Sequence, residues 1–206
     1  MVLCCASLQA KAAAAPRALL ILGDSLSAGY GIDVSASWPA LLSARLVSEG
    51  YPYRVVNASI SGETTAGGAR RIGALLEAHH PAVVVVALGA NDGLRGIDPQ
   101  VTRGNLEQIL GAIAAADAVA VLVQVRVPPN YGPQYTSAFE GLYPELAKAP
   151  GRVPGTFLLE GFADDPKAFQ ADGLHPLADR QPRILENLWP ALTAAMAAAT
   201  PKDSRR

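Results

Sequence analysis

The chain reads as a three-layer α/β protein, a parallel sheet held between two layers of helices. Three observations predict this. From Pro16 onwards, short apolar runs alternate with longer amphipathic segments. The runs lack polar alternation, as in Val83-Val84-Val85-Val86, which suits strands buried on both faces. The segments between them repeat apolar residues at helical spacing, and strands alternating with helices build a sheet covered on both sides.

The first strand is expected at Ala18–Leu22, an aliphatic run closed by Gly23-Asp24-Ser25. The second is Tyr53–Val56, ahead of the polar segment Asn57-Ala58-Ser59-Ile60-Ser61-Gly62-Glu63. The third is Ala82–Leu88, followed by Gly89-Ala90-Asn91-Asp92-Gly93, and the fourth is Val119–Val125. A weaker apolar run, Thr156–Leu159, supplies the fifth, with Gly151, Pro154 and Gly155 punctuating its approach. Helices are expected at Trp38–Glu49, Ala66–Ala78, around Leu106, Ile109, Leu110 and Ile113, at Ser137–Lys148 and at Arg183–Ala199.

With 206 residues, half of them hydrophobic, the chain is long enough for one domain with a sizeable core. That domain is placed at residues 16–199, with a C-terminal tail over residues 200–206. A net charge of −1 with scattered basic residues excludes the basic face that nucleic-acid binding needs. Cys4 and Cys5 are the only cysteines, so the body has neither a disulfide framework nor a cysteine metal site. Of three histidines, His79 and His80 stand together before Pro81, where they suit a helix C-terminus. His175 stands alone. Residues 1–15 match the later part of a secretory signal, small and apolar with Ala-rich cleavage sequences but without a basic start. They predict a periplasmic or secreted protein, the alternative being a cytoplasmic one. The leader is too short to span a bilayer, and no stable membrane insertion is expected.

The chemistry gathers after the strands. In open α/β sheets ligands bind at the carboxyl edge, which is where Ser25 falls. A serine there is either a helix cap or a nucleophile, and a nucleophile needs a base with an orienting partner. Asp172-Gly173-Leu174-His175-Pro176 offers both within one turn: Asp172 can reach Nδ1 of His175, leaving Nε2 free to face Ser25. Gly62 permits close approach of a backbone N–H to a substrate oxygen, and the Asn91 amide is a second fixed dipole. Each cluster alone also fits an ordinary turn or cap. The first three arrive together at one sheet edge and the fourth lies near the C-terminal helix, a combination that favours catalysis.

GDSLS, the glycine of SGET, the asparagine of GAND and DGLHP resemble the four sequence blocks of the SGNH hydrolases, also called GDSL esterases. ILGDSLSAGYG, VNASISGETT, LGANDGLRG and VPPNYG are similar to the bacterial thioesterase I branch, whose members are acyl-CoA thioesterases, arylesterases and lysophospholipases. The resemblance runs from about Leu19 to Pro190. It implies Ser25 as nucleophile, His175 as base and Asp172 as its partner. The oxyanion hole would be the N–H groups of Ser25 and Gly62 with the Asn91 side chain. It also implies a five-stranded parallel sheet in flavodoxin-like order, needing no metal or cofactor.

The expected substrate is a small acyl ester or thioester, and the protein is expected to be a monomer. The segment Gly93-Leu94-Arg95-Gly96-Ile97-Asp98, with its two glycines, is read as a mobile loop closing over an acyl chain. Val127 to Tyr131 would form the opposite wall, and Arg95 either meets a phosphate or is simply solvated. A carbohydrate or short-chain acetyl esterase is the competing activity, and a noncatalytic binding module the competing class.

Overall fold

The computed structural model describes residues 15–200. Its strands are β1 (Arg17–Gly23), β2 (Tyr53–Asn57), β3 (Val83–Ala87), β4 (Val119–Val123) and β5 (Arg152–Gly155). All neighbours run parallel, in the order β2-β1-β3-β4-β5. This is the flavodoxin-like order, and it opens a crevice beyond the carboxyl ends of β1 and β3, where the chain reverses direction across the sheet. The helices are α1 (Ser25–Ala28), α2 (Trp38–Ser48), α3 (Thr65–His79), α4 (Ala90–Leu94), α5 (Pro99–Ala115), α6 (Pro133–Leu146) and α7 (Gln181–Ala199). Among the described residues, no helix is long and apolar enough to cross a membrane. The leader and tail expectations fall almost wholly on residues 1–14 and 201–206, outside the described residues.

Alternate side chains of a strand face opposite ways, and both faces of this sheet are covered. Leu19 and Ile21 of β1 join Val83 and Val85 of β3 in the core beneath α2 and α7. Leu20, Leu22, Val84 and Val86 join the core beneath α3, α5 and α6. That double burial explains the unbroken valine run. Leu106, Ile109, Leu110 and Ile113 form the buried stripe of α5, as their spacing predicts.

One strand is displaced from its expected place. The apolar run Thr156–Leu159 is not the fifth strand, which lies just before it at Arg152–Gly155 and pairs with Ala120–Val123. Phe157 and Leu158 are apolar because they are buried beside the sheet edge, not because they pair. Pro154 lacks an N–H, a loss that an edge strand with one neighbour tolerates.

Candidate active site

Three of the site's segments leave the sheet at its carboxyl edge. After β1 the chain turns at once into α1, and Gly23 makes the turn: a Cβ there would lie 2.8 Å from Ser27 Cβ. Asp24 caps α1 by accepting the Leu26 N–H at 3.0 Å, and Ser25 begins the helix. After β2, the loop through Ser61 and Gly62 comes alongside. After β3, Gly89 adopts φ +117°, a region closed to most side chains, and a Cβ there would collide with the Tyr143 hydroxyl. That turn starts α4 and projects Asn91, whose Nδ2 donates to the Glu63 carbonyl at 3.0 Å. The same nitrogen stands 3.5 Å from Asp24 Oδ2.

The fourth segment is the loop before α7. Asp172 Oδ1 accepts the N–H groups of Leu174 (2.9 Å) and His175 (3.1 Å), while Oδ2 lies 2.7 Å from His175 Nδ1. His175 Nε2 lies 2.8 Å from Ser25 Oγ. The Leu174 N–H, then the His175 ring and N–H, hold the Asp172 carboxyl down at about 2. An ionised carboxylate only accepts, so Nδ1 carries the ring proton and Nε2 is left to accept from the Ser25 hydroxyl. Three residues are thus joined in one donor-to-acceptor series.

Two aspartates lie beneath this surface. Asp24 is only 2% exposed, and burial pushes its carboxyl up to about 6 against the opposing Leu26 N–H. Asp92, fully buried, accepts the Thr65 N–H at 2.9 Å and the Thr65 hydroxyl at the start of α3. Asn105 Nδ2 donates to that hydroxyl at 3.0 Å, so α3, α4 and α5 share one polar node beneath Asn91. The sequence carries no sign of this role, because an aspartate between asparagine and glycine reads as a turn.

Ser25, Gly62, Asn91 and His175 all border a cavity of about 570 Å³. Val123, Val125, Val127, Phe157 and Leu158 give it an apolar stretch, with Gln124 and Arg126 between the valines. Of the expected substrate contacts, Leu94 and Val127 line it. Arg95, Ile97 and Tyr131 take part in hydrogen bonds at its rim. The Arg95 guanidinium donates to the Gly62 carbonyl at 3.1 Å, Tyr131 Oη to the Leu94 carbonyl at 2.6 Å, and Tyr135 Oη to the Ile97 carbonyl at 2.8 Å. The segment read as a loop thus begins inside α4 and is held by two tyrosine hydroxyls. Sequence reasoning also passed over Tyr30, which lines the cavity with its ring centroid 4.4 Å from that of His175. Among the described residues, no group of three or more His, Cys, Asp or Glu side chains could hold a metal ion.

The sequence pattern of the GDSL-like lipase/acylhydrolase family matches residues 21–179. The chain belongs to this family. The hydrolase is 49% identical to esterase TesA of Pseudomonas aeruginosa over 179 residues, covering 87% of this chain and 89% of that one. It is also 49% identical to thioesterase 1/protease 1/lysophospholipase L1 of Escherichia coli K12 over 174 residues, covering 84% and 82%. A crystal structure of TesA superimposes with a TM-score of 0.84 at 47% identity, covering 87% of this chain and 99% of that one. As a member of this family the protein is a hydrolase of the esterase and thioesterase type.

Proposed function

We propose that the hydrolase cleaves acyl esters and thioesters in two steps, through an acyl-enzyme on Ser25. The observation that carries this reading is the series from Asp172 through His175 to Ser25, with contacts of 2.7 and 2.8 Å, opening onto an apolar cavity. His175 Nε2 takes the Ser25 proton as Oγ attacks the acyl carbonyl, and returns it to the departing alcohol or thiol. Water then attacks the acyl-enzyme with His175 again as base, releasing the acid. The N–H groups of Ser25 and Gly62 and the Asn91 amide receive the charge that develops on the carbonyl oxygen. Ionised Asp172 keeps the imidazole in the working tautomer and stabilises the imidazolium.

The acyl chain lies along the valines of β4 and its following loop towards Phe157. A cavity of about 570 Å³ falls within the roughly 300–1,000 Å³ typical of ligand pockets. An acetyl group would fill little of it, which favours longer acyl chains over the acetyl-esterase reading. The lysophospholipase name of one relative points to a lipid acyl ester. Residues 16–199 form the hydrolase domain in this proposal, and the small apolar residues of 1–15 direct the protein to export. Cell fractionation checks the last point: protein confined to the cytoplasm with Met1 intact refutes it.

The test is labelling with a fluorophosphonate probe, followed by a rate series from acetyl to long acyl chains on thioester and oxyester pairs. Ser25 should label, and Ser25→Ala should lose both labelling and turnover, the latter by roughly 10⁴–10⁶-fold. Wild-type rates in Ser25→Ala would sink the mechanism. Absence of labelling would return the protein to a binding role, and an optimum at acetyl would overturn the substrate class.

A further inference from the structure

Asp172 and His175 meet within a single turn, so their pairing is local. The contact between His175 and Ser25 is not local, since it joins segments 150 residues apart. Gln170 ties those segments together. Its N–H donates to the His175 carbonyl at 2.8 Å, and its carbonyl accepts the Gly173 N–H at 2.9 Å, rooting it in the loop that carries the base. Its side-chain nitrogen then reaches across to donate to the Tyr30 carbonyl at 2.8 Å, with the Pro176 carbonyl 3.3 Å away. Tyr30 in turn donates its N–H to the Ser25 carbonyl at 3.3 Å and lays its ring beside the imidazole. Gly31 leaves room for this clasp: a Cβ there would fall 2.0 Å from Gln170 Oε1.

We propose that Gln170 is a positioning residue that sets His175 in register with Ser25, with the Tyr30 ring as the surface on which the imidazole rests. This rests on the reading of Ser25 as nucleophile and His175 as base. Two backbone carbonyls on different segments need two donors from one point, and a primary amide supplies them. Misplacing a reacting group by about 1 Å can cost roughly 10²-fold in rate. A clasp that holds a 2.8 Å contact between two loops therefore acts on the chemical step, not on substrate affinity.

The experiment uses Gln170→Met, which keeps the length of the side chain and removes both donors. Its kcat should fall by roughly 10–100-fold with KM within about twofold. The rate of fluorophosphonate labelling should fall by the same factor, while the final extent of labelling stays complete. The low-field proton of the Asp172–His175 pair should persist in the NMR spectrum, because that pair is local. Gly31→Ala displaces the same amide without altering Gln170, adding backbone strain at φ +73°, and rates counted per labelled site remove any effect of folding yield. The double variant should lose no more than the worse single one, since both break one clasp. Wild-type kcat in Gln170→Met, a fall matched by loss of labelled sites, or additive losses in the double variant would each overturn the proposal. Ser25→Ala separates the two ideas. If it is inert while Gln170→Met runs at wild-type rate, the clasp alone is wrong; if it turns over normally, the nucleophile assignment is wrong.

Discussion

Replacing Asp24 by asparagine should favour the fold more at pH 8 than at pH 4. The carboxyl is 2% exposed and its pKa is raised by burial from 3.8 to about 6. The neutral acid is therefore favoured in the fold more than in the unfolded chain. Below about pH 3.8 both states hold the proton, and Asp24 carries no ionisation cost. As pH rises towards about 6 the unfolded chain releases its proton first and stability falls; above that the loss is complete. At about 1.4 kcal/mol per pH unit, ionised Asp24 costs the native state about 3 kcal/mol. Asparagine keeps an oxygen for the Leu26 N–H and never ionises. Its amide nitrogen would face Asn91, but that contact is the same at every pH. The difference between the melting-point shifts at pH 8 and pH 4 therefore reports the ionisation of Asp24 together with its coupling to His175 and Asp92. At about 2–4 °C per kcal/mol for a chain of this size, Asp24→Asn should gain about 6–12 °C at pH 8 relative to its shift at pH 4. Scanning calorimetry of both proteins at the two pH values measures it. An equal shift at both, or a larger gain at pH 4, would refute the assignment of a buried, ionisation-sensitive carboxyl.

Two further predictions concern the oxyanion site and the packing behind it. Asn91→Ala removes one donor from the oxyanion site and should lower kcat by roughly 10²–10³-fold, with KM little changed on a short aryl ester; a loss below tenfold would remove Asn91 from the mechanism. Gly68→Val places a Cβ 2.4 Å from Leu88 Cδ1 and 3.3 Å from Ile109 Cδ1, between α3 and its neighbours. Overpacking of about 1–3 kcal/mol should lower the melting point by about 2–12 °C while activity per labelled site is kept, and an unchanged melting point would refute the close approach.

What the sequence by itself determined is whatever local chemistry and periodicity encode. Val83 to Val86 announce a strand buried on both faces, because alternate residues meet the two hydrophobic layers. Leu106, Ile109, Leu110 and Ile113 announce a helix face. The Asp172–His175 pair is legible because four residues suffice to build it. Ser25, Gly62 and Asn91 are legible because each follows a strand, and parallel strands deliver their carboxyl ends to one edge. Burial decided the rest. Thr156–Leu159 reads as a strand because apolarity marks burial without saying whether the backbone pairs. Asp24 and Asp92 read as turn residues, yet the tertiary structure encloses them, and only enclosure gives Asp24 its raised pKa. Arg95 and Tyr131 read as substrate contacts, and only the fold shows that each also donates to a backbone carbonyl of the rim. Tyr30 stands in the same block as Ser25, ILGDSLSAGYG, and Gln170 lies outside any block, yet neither shows its partner. Their place beside His175 comes from joining segments some 140 residues apart, and no local pattern records such a contact.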